Sequence, residues 1–313
     1  LPAFNLRLDD QNFEAEAQFV FDKLTAYEFS LKNELTDFRK IQQFLADSLA
    51  AKVKPYQLQD PIATNLKLKG KFAYGDVPFI HVDFSTNNNK LQLFEELELE
   101  NVQSQGILTN NLNSTDSLAE QPGKRDIKLY FKDFSANLED IQVNAQDSYY
   151  QSTANLRNQV RANVQVKGSN ETMARTLDHE NFSFKGGQFS LDATIDGNID
   201  DPYMILNAAK GTFTMGNTQV ALKENNVQLP LRRLDLKLDN NNSILRQLQI
   251  DLPNGESLNF RGNVKNVSAL MVSNPSTPAE ASLILNSDAL NLDDLINTAT
   301  KFTSENKGDQ DNL

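Results

Sequence analysis

The residues able to do covalent or metal chemistry are few and scattered. The only histidines are His81 and His179, far apart in the chain and part of no motif. Cysteine is absent, which removes disulfides, thiol catalysis and thiolate metal ligands together. A structural zinc site would have to recruit both histidines plus carboxylates through the fold, and both read instead as surface or turn residues. Serine is plentiful, but no GxSxG elbow exposes one as a nucleophile. Neither a P-loop nor a GxGxxG phosphate cradle occurs.

Carboxylates are the remaining candidates. Asp192, Asp196, Asp200 and Asp201 surround Gly197-Asn198, a composition that brings a calcium loop to mind. Their spacing departs from the EF-hand order of ligands, so the cluster reads as a solvated hairpin end. Glu95, Glu96, Glu98 and Glu100 alternate with Leu97 and Leu99, the pattern of a wet strand face rather than of an acid/base pair. A glycosidase pair would face a sugar cleft, and tryptophan, the best stacking residue for a sugar, is absent. The expectation is a protein that is not an enzyme, needs no cofactor and depends on no metal.

Net charge narrows the partners. The chain of 313 residues carries a formal charge of -12, which repels phosphate backbones and argues against nucleic acid. The same charge argues against simple adsorption on anionic headgroups. The apolar fraction of 39% supports a real core, while a mean hydropathy of -0.50 keeps much of the surface wet. No run reaches the roughly 18 apolar residues of a membrane helix. The chain opens at Leu1 without a basic and apolar leader, so it is expected to be a processed or excised piece with any anchor upstream.

The elements that would position any site are strands. Apolar residues recur with period two at Phe13, Ala15, Ala17, Phe19 and Phe21, and again at Leu66, Leu68 and Gly70. The same period marks 127–131, 141–145, 160–166, 189–195, 234–238, 258–264 and 281–285. Polar residues fill the alternate positions, giving each strand one apolar and one wet face. Pro253-Asn254-Gly255-Glu256 reads as a hairpin turn, and Asn87-Asn88-Asn89 and Asn240-Asn241-Asn242 as further tips. Strand after turn after strand implies an antiparallel meander. Two helices interrupt it. Leu35, Phe38, Ile41, Phe44, Leu45 and Leu49 have helical spacing, with Pro55 as the stop. A short helix capped by Asn291 covers 292–296. The helix at 35–52 is expected to pack on one end or mouth of the sheet. The polar stretches 109–126 and 273–280 and the tail after Phe302 read as mobile.

The second half resembles the periplasmic C-terminal region of AsmA-like proteins of the Bacteroidetes type. The matching segments are LDATIDGNIDDPYMIL at 191–206, GTFTMGNTQVAL at 211–222, the long strand–hairpin–strand run at 229–271, and ASLILNSDALNLDDLI at 281–296. AsmA-like proteins are related to TamB and to bridge-like lipid-transfer proteins. The resemblance therefore implies a curved antiparallel β-sheet forming a groove or half-barrel, working in outer-membrane biogenesis and lipid transport. It implies a periplasmic location with an inner-membrane anchor outside this segment. Phospholipid or another acyl lipid is the expected partner, with envelope proteins as further partners.

These readings give an N-terminal β portion at 1–167 with the helix at 35–52, an AsmA-like β portion at 168–302, and a flexible tail at 303–313, the whole forming one β unit. Leu191, Ile195, Leu236, Leu248, Ile250, Phe260 and Leu283 are the candidate lining residues of a lipid groove. A packed sandwich that serves as a structural or interaction module without ligand is the alternative on the same pattern. A hydrolase with a site invisible in one sequence is the third reading.

Overall fold

A computed structural model describes residues 3–8, 10–41, 54, 56–93, 97–111, 127–152, 158–177, 182–198, 206–222, 227–252, 255–271 and 277–287. The protein is mainly β, antiparallel and open rather than closed into a barrel. It divides into two compact units. The first holds residues 1–164 with 196–200, and the second holds 165–195 with 201–313.

In the first unit, β1 (Phe4–Leu8), β2 (Gln11–Val20), β3 (Ala26–Thr36), β5 (Ile62–Lys71), β6 (Phe79–Leu93), β7 (Leu97–Thr109), β8 (Ile127–Leu138) and β9 (Ile141–Ser152) are antiparallel neighbours in that order. The short β4 (Tyr56–Leu58) lies beside the far end of β6. Alternation dictates the pattern directly. In β2, Gln11, Phe13, Ala15 and Ala17 are buried, while Asn12, Glu14, Glu16 and Gln18 between them are exposed. A closed core forms at one end, where Leu99, Val102 and Ala136 pack with Leu91, Leu93, Phe134 and Leu138.

β10 (Asn158–Ser169) crosses the division between Val164 and Gln165. In the second unit, β11 (Phe182–Lys185) and β12 (Gln188–Asn198) share one edge of β13 (Ala209–Leu222). Then β14 (Val227–Asp239), β15 (Asn242–Asp251), β16 (Ser257–Lys265) and β17 (Glu280–Asn286) follow as successive antiparallel neighbours. The β15–β16 hairpin closes where the Leu252 amide donates to the Glu256 carbonyl at 2.7 Å.

Two sequence expectations are corrected. The helix of the first unit, α1, occupies Phe38–Ile41. Leu35 and Thr36 end β3 instead, and Leu35 is 72% exposed rather than part of an apolar helix stripe. β3 keeps its strand because Thr36 pairs with Ile62 and its hydroxyl hydrogen-bonds Thr64 at 2.6 Å. Residues 42–53 and the helix at 292–296 lie outside the described residues. Asn87-Asn88-Asn89 is no hairpin tip: β6 runs straight through it, with Asn88 left-handed at φ 54° in a bulge. Asp192 lies inside the paired part of β12, opposite Thr212, whereas Asp196 lies beyond the last β12–β13 pair, Ile195 with Ala209, at the exposed end of that hairpin. Gln165 donates to Asp192 at 3.2 Å, and Arg161 lies 4.0 Å from Asp196. Asp200 and Asp201 lie outside the described residues.

A helix missing from the sequence reading, α2 (Asn170–Leu177), follows β10 directly. Ser169 caps it, its hydroxyl accepting from the Thr172 amide at 3.1 Å. Glu171 in its first turn accepts from the Gly186 amide at 2.8 Å, and so braces the β11–β12 turn.

Candidate functional site

The register assembles the apolar positions into continuous rows. Residues directly opposite on antiparallel neighbours share a face. In the second unit, Phe189 opposes Met215, Met215 opposes Leu234, Leu234 opposes Leu248, Leu248 opposes Phe260, and Phe260 opposes Leu285. One row over, Leu191, Phe213, Leu236, Leu245, Gly262 and Leu283 are joined the same way. Two apolar rows thus cross six strands from β12 to β17. At about 4.8 Å per strand each row is about 24 Å long.

All seven candidate residues lie on this face. Leu191, Leu236 and Leu283 belong to the second row, and Leu248 and Phe260 to the first. Ile250 opposes both Leu231 and Leu258, extending the face at one end. Ile195 opposes Ala209 at the other. The face is not uniformly covered. Ile195 and Leu236 are each 6% exposed, while Leu191, Leu248, Ile250 and Phe260 are half-buried. Leu283 is 44% exposed. Packing is tightest over β12–β15 and opens toward β17.

A similar face exists in the first unit, where sequence reasoning named no lining residues. Phe4, Ala15, Leu31, Leu66, Val82, Leu108, Leu129 and Tyr150 form one row across eight strands. Leu31, Leu66, Val82, Leu108 and Leu129 are half-buried. The signal was in the sequence, since Leu66 and Leu129 sit in runs of period two. What alternation omits is which strand opposes which.

Glycines interrupt the rows where a side chain has no room. A Cβ on Gly106 would fall 2.2 Å from the Tyr130 carbonyl oxygen and 2.5 Å from the Phe84 ring. The Phe84 ring lies across that glycine and meets Phe131 edge-on at 5.8 Å. At Gly211, a Cβ would meet the Asp192 carbonyl oxygen at 2.0 Å. These positions keep the strands in close contact while aromatic neighbours restore the apolar surface.

The opposite faces carry the charges. Lys90 holds Glu98 at 2.8 Å and Glu100 at 3.0 Å, which keeps its ammonium protonated above the ordinary lysine range. Arg232 pairs with Asp251, and that hydrogen bond, joined by one from Ser257, lowers the carboxyl pKa below its usual value. Tyr130 donates to Asp147 at 2.6 Å, which raises its phenol pKa to about 12. These are cross-strand pairs on the polar faces of their strands. His81 sits 3.1 Å from Asp83, and His179 lies outside the described residues. Among the described residues, no three His, Asp or Glu side chains are placed to hold a metal ion, and no helix is long and apolar enough to cross a membrane. A recess of ≈ 840 Å³ in the first unit is lined largely by amides and hydroxyls, including Ser85, Gln105, Ser135 and Gln146.

Comparison of the chain with family models, with curated proteins and with solved structures returned no match.

Proposed function

We propose that this chain is a non-enzymatic protein of the bacterial envelope that binds or conducts phospholipid along the apolar faces of its sheets. The observation that carries the reading is the pair of adjacent apolar rows crossing six strands on one face, tight at β12 and open at β17. Moving an acyl chain through water exposes about 0.8 kcal/mol of apolar surface per methylene, or about 12 kcal/mol for sixteen carbons. An apolar track lowers that barrier with no catalytic group. Each row, about 24 Å long, exceeds the roughly 15 Å depth of one leaflet's hydrocarbon, so an extended chain fits along it. The polar headgroup would remain in water beside the track.

The segments that resemble AsmA-like proteins supply β12 to β17, the strands that carry both rows. That resemblance supports a periplasmic setting, an inner-membrane anchor outside this segment, and a role in outer-membrane biogenesis. A second reading, a structural or interaction module without lipid, is favoured by Leu236 and Leu238, whose near-complete burial resembles an ordinary packed core. The deciding experiment places a photo-crosslinking residue at Leu191, Phe260 or Leu285 in cells and extracts lipid from the purified protein. Phospholipid recovered by both routes supports transport. Crosslinks to no lipid from any of the three, with none extracted, leaves the structural module.

A further inference from the structure

We infer that the first unit carries a separate membrane-contact site at the joined β2–β3 and β5–β6 turns, built to insert into the interface of a zwitterionic phospholipid bilayer. These turns gather several exposed apolar side chains at one place. Phe21 is 83% exposed, Phe72 is 60% exposed, and Leu24 and Tyr74 also stand in solvent. The apolar tips are held in place rather than trailing. The Phe72 amide donates to the Thr25 carbonyl at 2.9 Å and ties one turn to the other. The Phe72 ring stacks on Phe19 at 6.4 Å and packs tilted against Tyr27 at 4.8 Å, and Phe21 stacks on Phe19 at 6.4 Å. Phe19, Phe21, Lys23, Leu24, Thr25 and Phe72 line a shallow, open recess of ≈ 500 Å³.

Charge selects the occupant. The chain as a whole is strongly acidic, yet the two turns balance Asp22 and Asp76 against Lys23 and Lys71. Each exposed carboxylate accepts from a turn amide, Asp22 from the Lys23 amide at 2.7 Å and Asp76 from the Lys71 amide at 2.7 Å. The exposed ammonium groups of Lys23 and Lys71 are left to meet phosphate. Exposed apolar and aromatic side chains beside lysines are the combination that favours the membrane interface. The remaining negative charge disfavours an anionic surface, which is why the bilayer is assigned as zwitterionic. The aromatic cluster also continues the apolar face, since Phe19 opposes Tyr27, and Phe29 opposes Ala17 and Leu68.

This site stands independently of lipid movement along the rows, and its test is separate. The chain lacks tryptophan, so Phe21→Trp makes a single fluorescent reporter at the tip, and Ile284→Trp, on an exposed strand position of the second unit, makes the control. Phosphatidylcholine vesicles should blue-shift Phe21→Trp emission, and brominated acyl chains should quench it, with neither effect on Ile284→Trp. Adding phosphatidylglycerol should weaken the response. In the otherwise native chain, Leu24→Asp with Tyr74→Asp, both exposed positions that leave folding intact, should reduce vesicle flotation roughly tenfold or more. Unchanged Phe21→Trp emission with vesicles overturns the inference. So does a shift that follows protein concentration without lipid, which would make the tip a contact with a second copy. A vesicle response without interior lipid crosslinks sustains this site and removes only the transport reading.

Discussion

Leu236 and Leu283 lie in one register row on one face, and they answer opposite questions about it. Leu236 is 6% exposed and faces Phe213 and Leu245, with no cation in the row. Leu236→Asp forfeits about 1.5–3 kcal/mol of leucine burial. It also leaves a carboxyl that must neutralise or stay unpaired, at a cost of about 1–3 kcal/mol or more. The sum, about 2.5–6 kcal/mol, reaches at its upper end the roughly 5 kcal/mol that is the lower bound of a whole domain's stability. Leu283 at 44% exposure keeps roughly half its side chain in water, so Leu283→Asp should cost only about 1 kcal/mol. Urea unfolding reads both directly: the midpoint of Leu236→Asp should collapse, and that of Leu283→Asp should move slightly. A photo-crosslinker at Leu285, two residues along the same strand face, reads lipid in the Leu283→Asp background. A stable variant that loses the lipid crosslink supports an open track at β17. An unchanged midpoint for Leu236→Asp would refute the packing drawn for β12–β15. A collapsed midpoint for Leu283→Asp would refute the open end.

Two further outcomes follow from local geometry. Gly106→Ala would place a methyl 2.2 Å from the Tyr130 carbonyl oxygen, a backbone contact that cannot swing aside, so it should cost about 1–3 kcal/mol and lower the melting temperature. Unaltered melting would mean the β7–β8 pairing is looser than drawn. Tyr130 has its phenol raised to about 12 by its hydrogen bond to Asp147. A raised folded pKa stabilises fully below the unfolded tyrosine value near 10 and loses that contribution as pH climbs through about 12. Ultraviolet titration should therefore show a late-titrating tyrosine that Asp147→Asn brings back toward the ordinary tyrosine value near 10.

Strand positions were legible because each has a period of two and one wet face, as β2 and β12 illustrate. Register was not. Pairing Leu191 with Phe213, and Phe213 with Leu236, depends on turn lengths and bulges between the strands, which alternation does not encode. The 35–52 helix went astray at its start because Leu35 fits a helical stripe and a strand end equally well. There the Thr36–Thr64 hydrogen bond decided for the strand. The helix α2 is only eight residues long, too short for a periodic signal, although Ser169 was readable as a cap. The exposed aromatic tip was half-legible, since Phe21 continues the alternation of β2, but nothing local indicates that it passes beyond the end of its partner strand.

The bulges explain how a period of two survives in strands up to fifteen residues long. Asn88, Asn101, Asp147 and Asn217 each take left-handed φ inside a strand, between 45° and 54°. Each inserts or re-aims one residue, so the side chains beyond it would change face if their sequence kept strict alternation. It does not. On β7, Leu97 and Leu99 precede Asn101, while Val102, Ser104, Gly106 and Leu108 follow at shifted parity. On β8, Phe131 and Phe134 are three apart yet touch at 5.7 Å, on one face. On β14, Leu231 and Leu234 span the shift opposite β15. The frame shift in the sequence and the bulge in the backbone cancel, and the apolar positions stay on one face. Bulges also bend and twist the strands that hold them. Asn and Asp tolerate the left-handed region better than other residues with side chains, which accounts for the residues chosen. The same asparagine that looked like a hairpin tip at Asn88 is what lets one strand bend without turning its apolar side outward.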